Sequence, residues 1–174
     1  MDVLPLESGQ IDDLVQVGDQ LFSLGAFSGY GIRLHSADGG WSYLPAPPAG
    51  WLVISIASGP GGLFATMSNF LPDAGSMSRV ERWDGAQWTA VGPDTPGFGL
   101  QLFVDGSGTP WLVLHTSPPS GFRTTRRLTG GEWRTIGAPR LAAGESQLAL
   151  ASDGSAWKVW SEADGGTTVG RYVP

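Results

Sequence analysis

The 174-residue chain is long enough for one domain with a sizeable core, and its 41% hydrophobic content excludes a disordered chain. Its formal net charge is −6, and it carries no long cluster of Lys or Arg. A nucleic-acid partner and an anionic membrane surface are therefore disfavoured. Because the chain contains no cysteine, disulfides and thiolate metal sites are also excluded.

The N-terminal segment M-D-V-L-P-L-E lacks the basic region and the long apolar run of a signal peptide. No apolar stretch approaches the roughly 18 residues of a spanning helix, so membrane insertion is not expected. These features do not determine the cellular compartment, and we favour an exported or cell-surface protein. The 27 Gly, 13 Pro and 8 Trp are typical of many short strands joined by tight turns.

Four copies of one unit follow each other along the chain, and a complete copy holds four predicted strands, A to D. Strand A is short and apolar and ends at Gly, Asp or Ser, in residues 14–19, 53–58, 100–105 and 148–153. Gly and Asp after it suit hairpin turns, because both tolerate a positive φ. Small strand A residues are expected to crowd a central axis, namely Ser55, Ala57, Ala149 and Ala151.

Strand B carries an aromatic residue at a matching place in each copy: Phe22, Phe64, Trp111 and Trp157. Strand C ends in Arg followed by a large apolar residue: Arg33-Leu34, Arg82-Trp83, Arg127-Leu128 and Arg171-Tyr172. These two landmarks recur every 42 to 49 residues. Strand D opens at Trp41, Trp88 and Trp133. A period of this length with four strands per unit is typical of propeller blades.

The fourth unit has no strand D, and residues 1–5 resemble residues 41–45, which form strand D of the first unit. We therefore predict an all-β, four-bladed β-propeller of four-stranded antiparallel blades, in which the N-terminal strand completes the last blade and closes the ring. The predicted single domain covers residues 1–174, with blades at about 14–45, 52–93, 100–139, and 147–174 plus 1–5.

The phrase R-W-D-G-A-Q-W-T-A-V-G at 82–92, with D-G-S-G-T-P-W at 105–111, resembles tectonin-type and related bacterial propeller repeats. Kelch repeats are a more distant likeness, because their Gly-Gly pair after the second strand is not evident. The resemblance implies a lectin or a recognition module on microbial surfaces. Sugar-contacting residues vary between these families, so none is carried over to this chain.

The residues give little support for catalysis. His35 and His115 fall in different units, and no G-x-S-x-G nucleophile elbow or H-E-x-x-H motif occurs. We therefore expect no enzyme activity, no cofactor and no metal. The segment 58–62 and the Asp-Gly segments at Asp105 and Asp153 are interpreted as turns, because each Asp-Gly segment offers one carboxylate and a calcium loop needs several.

The predicted B–C loops, at 26–31, 68–77, 117–123 and 161–166, are longer and carry aromatic and polar residues. Loops on a rigid scaffold are the usual place for binding residues. The candidate ligand-binding residues are Tyr30, Asn69, Phe70, Arg79, Phe122 and Arg123. The alternative is that these aromatic residues fold back as lids over the blade core.

The function we predict is a non-catalytic recognition module that binds glycans through the B–C loop face or through clefts between blades. Two alternatives stay open: a protein-interaction or structural module, which would form part of a larger exported protein, and a hydrolase or lyase that uses loop carboxylates and arginines. The expected partner is a glycan or a protein. The expected state is a monomer or a homodimer that is strand-swapped or forms one eight-bladed ring.

Overall fold

The structure, a computed structural model, describes residues 9–26, 30–36, 39–71, 75–116, 122–141, 146–151, 155–161 and 166–173. Sixteen β-strands account for the regular structure of these ranges. Within the same ranges, no helix is long and apolar enough to cross a membrane. The prediction of an all-β fold is confirmed.

The first two sheets are antiparallel and follow chain order. Sheet 1 consists of β1 (Gln10–Val17), β2 (Gln20–Ala26), β3 (Tyr30–His35) and β4 (Trp41–Tyr43). Sheet 2 consists of β5 (Leu52–Gly59), β6 (Gly62–Leu71), β7 (Gly75–Trp83) and β8 (Trp88–Ala90). A short strand, β9 (Thr95–Pro96), also pairs with β7 and makes sheet 2 five-stranded.

The other two sheets repeat this order. Sheet 3 consists of β10 (Phe98–Val104), β11 (Pro110–His115), β12 (Phe122–Thr129) and β13 (Glu132–Leu141). Sheet 4 contains three described strands, β14 (Ser146–Leu150), β15 (Ala156–Ser161) and β16 (Thr167–Tyr172). Residues 1–5, predicted as its fourth strand, lie outside the described residues, so the predicted ring closure stays a prediction.

The cross-strand register confirms the strand B landmark and corrects the strand C landmark. In sheets 2 to 4 the aromatic residue lies opposite the strand C arginine, in the pairs Phe64–Arg82, Trp111–Arg127 and Trp157–Arg171. In sheet 1, however, Phe22 lies opposite Leu34. The strand C landmark of sheet 1, predicted at Arg33-Leu34, is therefore one residue too early. Leu34-His35 occupies the position that the Arg pair occupies in the other sheets. Since side chains alternate along a strand, Arg33 lies on the opposite face of the sheet.

Three hydrophobic clusters fill the spaces between successive sheets. The first joins Phe22, Leu24 and Ile32 of sheet 1 to Ile56, Ala65 and Met67 of sheet 2. The second joins Phe64 and Val80 of sheet 2 to Leu102, Leu112 and Leu114 of sheet 3. The third joins Trp111 and Val113 of sheet 3 to Leu148 and Ala156 of sheet 4. The sheets therefore pack in chain order, and we call these spaces the 1–2, 2–3 and 3–4 junctions.

Side chains from one inner strand also hydrogen-bond to the next inner strand. The Ile56 amide donates to Asp13 Oδ2 at 3.0 Å, and the Leu102 amide donates to Ser55 Oγ at 3.3 Å. Each acceptor follows a register irregularity in its own strand. The 1–2 and 2–3 junctions thus share one arrangement at the inner edge, which is what a repeated blade requires.

The two outer surfaces of this series are less covered than the junctions. We call the face of sheet 4 that carries Trp157, Val159 and Val169 the sheet 4 end face; these side chains are 42%, 37% and 58% exposed. The sheet 1 end face carries Leu14, which is 57% exposed, although Ser23 and Arg33 on the same face are buried. Of the small residues expected to crowd the axis, Ser55 is buried but Ala149, in sheet 4, is exposed.

The Asp-Gly segment at Asp105 forms a turn that the Asp105 carboxylate stabilises. Its Oδ1 accepts hydrogen bonds from the amide and hydroxyl of Ser107 and from the Thr109 amide, and its Oδ2 accepts from Trp111 Nε1 and Arg127 Nη2. Burial opposes its ionisation, but these donors outweigh that effect and lower the pKa of Asp105 to about 2. The turn interpretation is confirmed here, whereas Asp153 lies outside the described residues.

A buried polar network ties sheet 2 to the start of sheet 3. The hydroxyls of Ser68 and Ser78 lie 2.8 Å apart, and the Gly99 amide donates to both, at 3.0 and 2.7 Å. Ser78 also donates to the Gly97 carbonyl at 2.7 Å. A Cβ at position 99 would lie 2.4 Å from Thr66 Cγ2, so only glycine fits at this close approach.

Candidate functional site

A cleft of about 270 Å³ lies at the 1–2 junction, on the side of the outer strands β3, β4 and β8. Its lining is mainly aromatic residues, proline and aliphatic residues: Tyr30, Ile32, Tyr43, Leu44, Pro45, Pro47, Val53 and Trp88, with Gly31 and Ala46. We call it the 1–2 cleft. Apolar walls with few polar groups are typical of small-ligand sites.

Tyr30 opens β3 and is the one predicted site residue that lines this cleft. Its side chain is 50% exposed. Burial of part of the ring, a hydrogen bond to Asp12 and the charges of Asp12 and Asp13 raise the pKa of Tyr30 to about 12. The phenol therefore stays protonated at neutral pH and donates to a carboxylate at the cleft edge.

Tyr43 supplies a second accessible ring, since it is 45% exposed. Its ring lies over Gly31, where a Cβ would be 3.5 Å from Tyr43 Cδ1. Trp88 lies deeper and is held by two contacts: its ring centroid is 5.2 Å from that of Trp83, and its Nε1 donates to the Pro45 carbonyl at 3.3 Å. The cleft therefore combines a fixed aromatic wall with two more accessible tyrosines.

The polar groups beside the cleft are acidic and amide groups. Gln10 Nε2 donates to Asp12 Oδ1 at 2.7 Å, and both residues are exposed. Asp13 already accepts the Ile56 amide across the junction. A ligand that carries hydroxyl donors would find acceptor oxygens here, beside rings on which an apolar face can stack.

Arg79, a second predicted site residue, is engaged within the protein. It lies in β7, not in a loop, and binds the Asp94 carboxylate through Nε and Nη2 at 2.8 and 2.9 Å. Glu81 lies 3.5 Å away, and the guanidinium stacks 4.5 Å from the centroid of Trp51. The hydrogen bond with Asp94 raises the pKa of Arg79 despite partial burial. Its position favours a role in fixing the 1–2 junction.

Asn69 and Phe70 also lie in a strand. The predicted loop 68–77 is mostly paired, because β6 extends to Leu71 and β7 begins at Gly75. Asn69 lies opposite Met77, and Phe70 lies opposite Ser76. By alternation, Asn69 and Arg79 share the face of sheet 2 that packs against sheet 1. Asn69 Oδ1 is buried and accepts no hydrogen bond from the described residues.

Phe122 and Arg123 open β12 in sheet 3, away from the 1–2 cleft. The Phe122 carbonyl accepts hydrogen bonds from the Thr116 amide and hydroxyl, both at 2.9 Å. Arg123 lies opposite His115 and is half-buried. The six predicted residues are thus spread over three sheets, and each lies within a strand and not in a loop. Their role in ligand binding stays a prediction.

A second cleft, of about 210 Å³, lies at the 3–4 junction. Its floor includes Trp111, Leu148 and Tyr172, and the Trp111 and Tyr172 ring centroids are 5.5 Å apart in an edge-on arrangement. Lys158 lines it, and its Nζ donates to Thr125 Oγ1 at 2.9 Å. The Arg171 backbone also borders this 3–4 cleft, but its guanidinium stacks on Trp157 on the other face of sheet 4. The cleft thus has one cationic side chain, in contrast to the acidic edge of the 1–2 cleft.

The sequence interpretation missed Tyr43, Pro45 and Pro47, and it assigned Trp88 to the blade core alone. A signal is present: the segment Y-L-P-A-P-P begins at the last residue of a strand D, and proline cannot extend the ladder. The aromatic residues that open strand D are predicted to pack between blades, and that prediction does not cover the exposed ring at the end of the strand.

No protein-family model matches the chain, and no curated protein matches it significantly in sequence. Solved structures do match. Xylan β-1,4-xylosidase from Bacillus halodurans C-125 is 16% identical with a TM-score of 0.54, over 92% of this chain and 39% of that one. The endo-arabinase from Bacteroides thetaiotaomicron VPI-5482 is 16% identical with a TM-score of 0.51, over 97% of this chain and 76% of that one.

YCF48 bound to D1 peptide is 18% identical with a TM-score of 0.51, over 95% of this chain and 53% of that one. This chain therefore spans 39% of the xylosidase chain and 53% of the YCF48 chain. These neighbours are β-propellers, and the likeness places this chain in the β-propeller fold. The tectonin or kelch type of repeat is not settled by it.

The expectation that the protein is not an enzyme is corrected by these neighbours, because a xylosidase and an endo-arabinase share its fold. The expectation rested on missing local motifs such as the nucleophile elbow. In a propeller, side chains from separate blades meet in space, so a catalytic set leaves no short motif in the sequence.

Proposed function

We propose that the 1–2 cleft binds a carbohydrate, in a protein whose four sheets are propeller blades. The observation that carries this proposal is the pair of half-exposed tyrosine rings, Tyr30 and Tyr43, in one cleft with an acceptor carboxylate on the Tyr30 hydroxyl. Sugar rings have apolar faces that stack on aromatic rings, and their hydroxyls donate to carboxylates.

The charge of this region favours a neutral or cationic sugar. Asp12 and Asp13 stand beside the cleft, and residues 1–94 contain 10 acidic and 3 basic residues. A uronic or sialic acid would meet like charge there, at a cost that falls as salt is added. The volume of about 270 Å³ fits one sugar ring better than a long chain.

The neighbours support a carbohydrate without identifying it. Two of them are, by name, a xylosidase and an endo-arabinase. At about 16% identity the shared feature is the fold, so the choice of site rests on the cleft itself.

Titration of neutral mono- and oligosaccharides, followed by Trp fluorescence and calorimetry, tests the proposal. Tyr43→Ala removes a stacking ring and is expected to weaken binding at least tenfold, about 1.4 kcal/mol. Tyr30→Phe keeps the ring but loses the hydroxyl and is expected to weaken binding less. Val173→Ala, at an exposed residue outside the cleft, is the matched control. Equal affinities for Tyr43→Ala and Val173→Ala would contradict the proposal.

The blade organisation is part of the same proposal. Sheets 1 to 3 each contain four strands in chain order, and sheet 2 adds β9. The Trp that opens strand D donates twice to a proline carbonyl of the preceding sheet, Trp88 to Pro45 and Trp133 to Pro93. We propose a tectonin-like repeat in which residues 1–5 supply the fourth strand beside β16. Deletion of residues 1–6 is then expected to destabilise the fold, as a denaturant titration would measure.

A second candidate, peptide recognition, is favoured by one specific neighbour, YCF48, whose solved structure contains a D1 peptide. Prolines and tyrosines also suit an extended peptide segment. A peptide array with the parent protein and Tyr43→Ala separates the two candidates, because a peptide hit without any sugar binding would replace the carbohydrate.

A further inference from the structure

Every interior junction buries the same two repeat positions. The strand B aromatic residues Phe22, Phe64 and Trp111 are 1%, 2% and 0% exposed, and each packs towards the next sheet. The facing strand A residues Ile56, Leu102 and Leu148 are 4%, 4% and 8% exposed. In each junction the aromatic residue and the strand A residue belong to one hydrophobic cluster.

The fourth member of each set is exposed. By register Trp157 is equivalent to Trp111, because both lie opposite the strand C arginine, and it is 42% exposed. Leu14 is equivalent to Ile56, since each stands one residue before the partner of the strand B aromatic, and it is 57% exposed. The two end faces thus carry the two halves of a junction, with Trp157 and Leu14 exposed, although Ser23 and Arg33 on the sheet 1 end face are buried.

We infer that the sheet 4 end face binds the sheet 1 end face of a second copy of this chain, so that two copies close one ring. The three interior junctions supply the template for this contact, in which Trp157 of one copy packs on Leu14 of the other. Val159 and Val169 lie opposite each other and on the same face as Trp157, which extends the apolar surface.

Charge complementarity favours this head-to-tail arrangement. Seven of the 10 Lys and Arg lie in residues 95–174, whereas 10 of the 16 Asp and Glu lie in residues 1–94. Asp12 and Asp13 themselves lie on the other side of sheet 1, at the 1–2 cleft, where Asp13 accepts the Ile56 amide. The complementarity is therefore one of net charge between the two ends of the chain, and not of ion pairs at the contact.

A two-fold axis uses both end faces of each copy, and the eight blades of two copies lie within the range that propellers reach.

Light scattering after size exclusion on the full chain tests the inference. The parent is expected at twice 18.2 kDa, whereas Trp157→Arg and Leu14→Arg are each expected near 18.2 kDa, a twofold loss of mass. Leu52→Arg, at another exposed strand residue of sheet 2, is the matched control and is expected to stay dimeric. Circular dichroism checks that each variant retains its β structure.

Iodide quenching of Trp fluorescence separates the remaining outcomes. If Trp157 is buried in the dimer, iodide quenching should increase more, relative to the parent, in Leu14→Arg than in Leu52→Arg. A parent protein that is monomeric at all concentrations overturns the inference. If Trp157 in such a monomer is protected from iodide, the ring is closed within one chain. Open oligomers larger than two copies also overturn it. Sugar titration of the monomeric variants tests the 1–2 cleft separately, because the cleft lies within one copy.

Discussion

The interior junctions and the end faces use the same repeat positions in opposite ways. Trp111 is fully buried between sheets 3 and 4, whereas Trp157, one repeat later, is 42% exposed. Leu102 and Leu14 differ in the same manner, at 4% and 57% exposed. The repeat in the sequence thus specifies what a residue is able to pack against, and the presence of a neighbouring blade decides whether it is core or surface.

The largest expected effect is at Trp111. Trp111→Ala removes a ring with no exposed surface together with its hydrogen bond to Asp105, and it is expected to destabilise the protein by about 3–5 kcal/mol. Urea unfolding followed by circular dichroism measures this change. A midpoint equal to that of the parent would show that the 3–4 junction does not carry the fold.

Trp133→Ala is expected to have a smaller effect, of about 2–3 kcal/mol. This ring is only half-buried in the 2–3 junction, but its Nε1 donates to the Pro93 carbonyl at 2.8 Å. Trp133→Phe keeps most of the packing but loses the hydrogen bond, so it should lower the free energy of unfolding by about 1 kcal/mol. Equal losses for the two variants would mean that packing of this ring contributes little.

Acid is expected to weaken the turn that supports Trp111. The pKa of Asp105 is lowered from 3.8 to about 2 in the folded protein, so its ionised form stabilises the fold above about pH 4. That contribution, about 2 kcal/mol, is lost as the pH falls from 4 towards 2. Urea midpoints across this range should fall less steeply for Asp105→Asn, and parallel pH profiles of the two proteins would contradict the assignment.

The smallest effect is expected at the end face. In a Leu14→Arg background, where the face stays open to solvent, Trp157→Ala is expected to change the unfolding free energy by less than about 1 kcal/mol. Urea unfolding of the two monomeric proteins provides the comparison. A loss as large as that of Trp111→Ala would show that Trp157 is packed within its own chain, and the contrast between junction and end face would fail.

Much of the fold was readable from the sequence because its signals are local. The Asp-Gly turns, the strand B aromatic residues and the Trp of strand D each depend on a few neighbouring residues, and the sheets follow them in order. The register of sheet 1 was not readable, because Arg33 precedes a large apolar residue just as Arg82 does. Only the pairing of Phe22 with Leu34 shows the offset of one residue.

The candidate site was predicted only in part, for a physical reason. Tyr30 was found because an aromatic residue at the start of a strand stands out in the sequence. Tyr43 and Trp88 come from different sheets, and their convergence depends on how two sheets pack. Arg79 resembled a ligand-binding residue until the structure showed its carboxylate partner, Asp94, 15 positions along the chain.

The serine and glycine network between sheets 2 and 3 has a consequence for the order in which the molecule opens. The Gly99 amide is enclosed by two hydroxyls, and β9 fastens the same connection to β7. Deuterium should therefore enter the amides around Gly99 last, while the outermost strands exchange early. The middle of the chain would then be the portion that survives partial melting and from which refolding resumes.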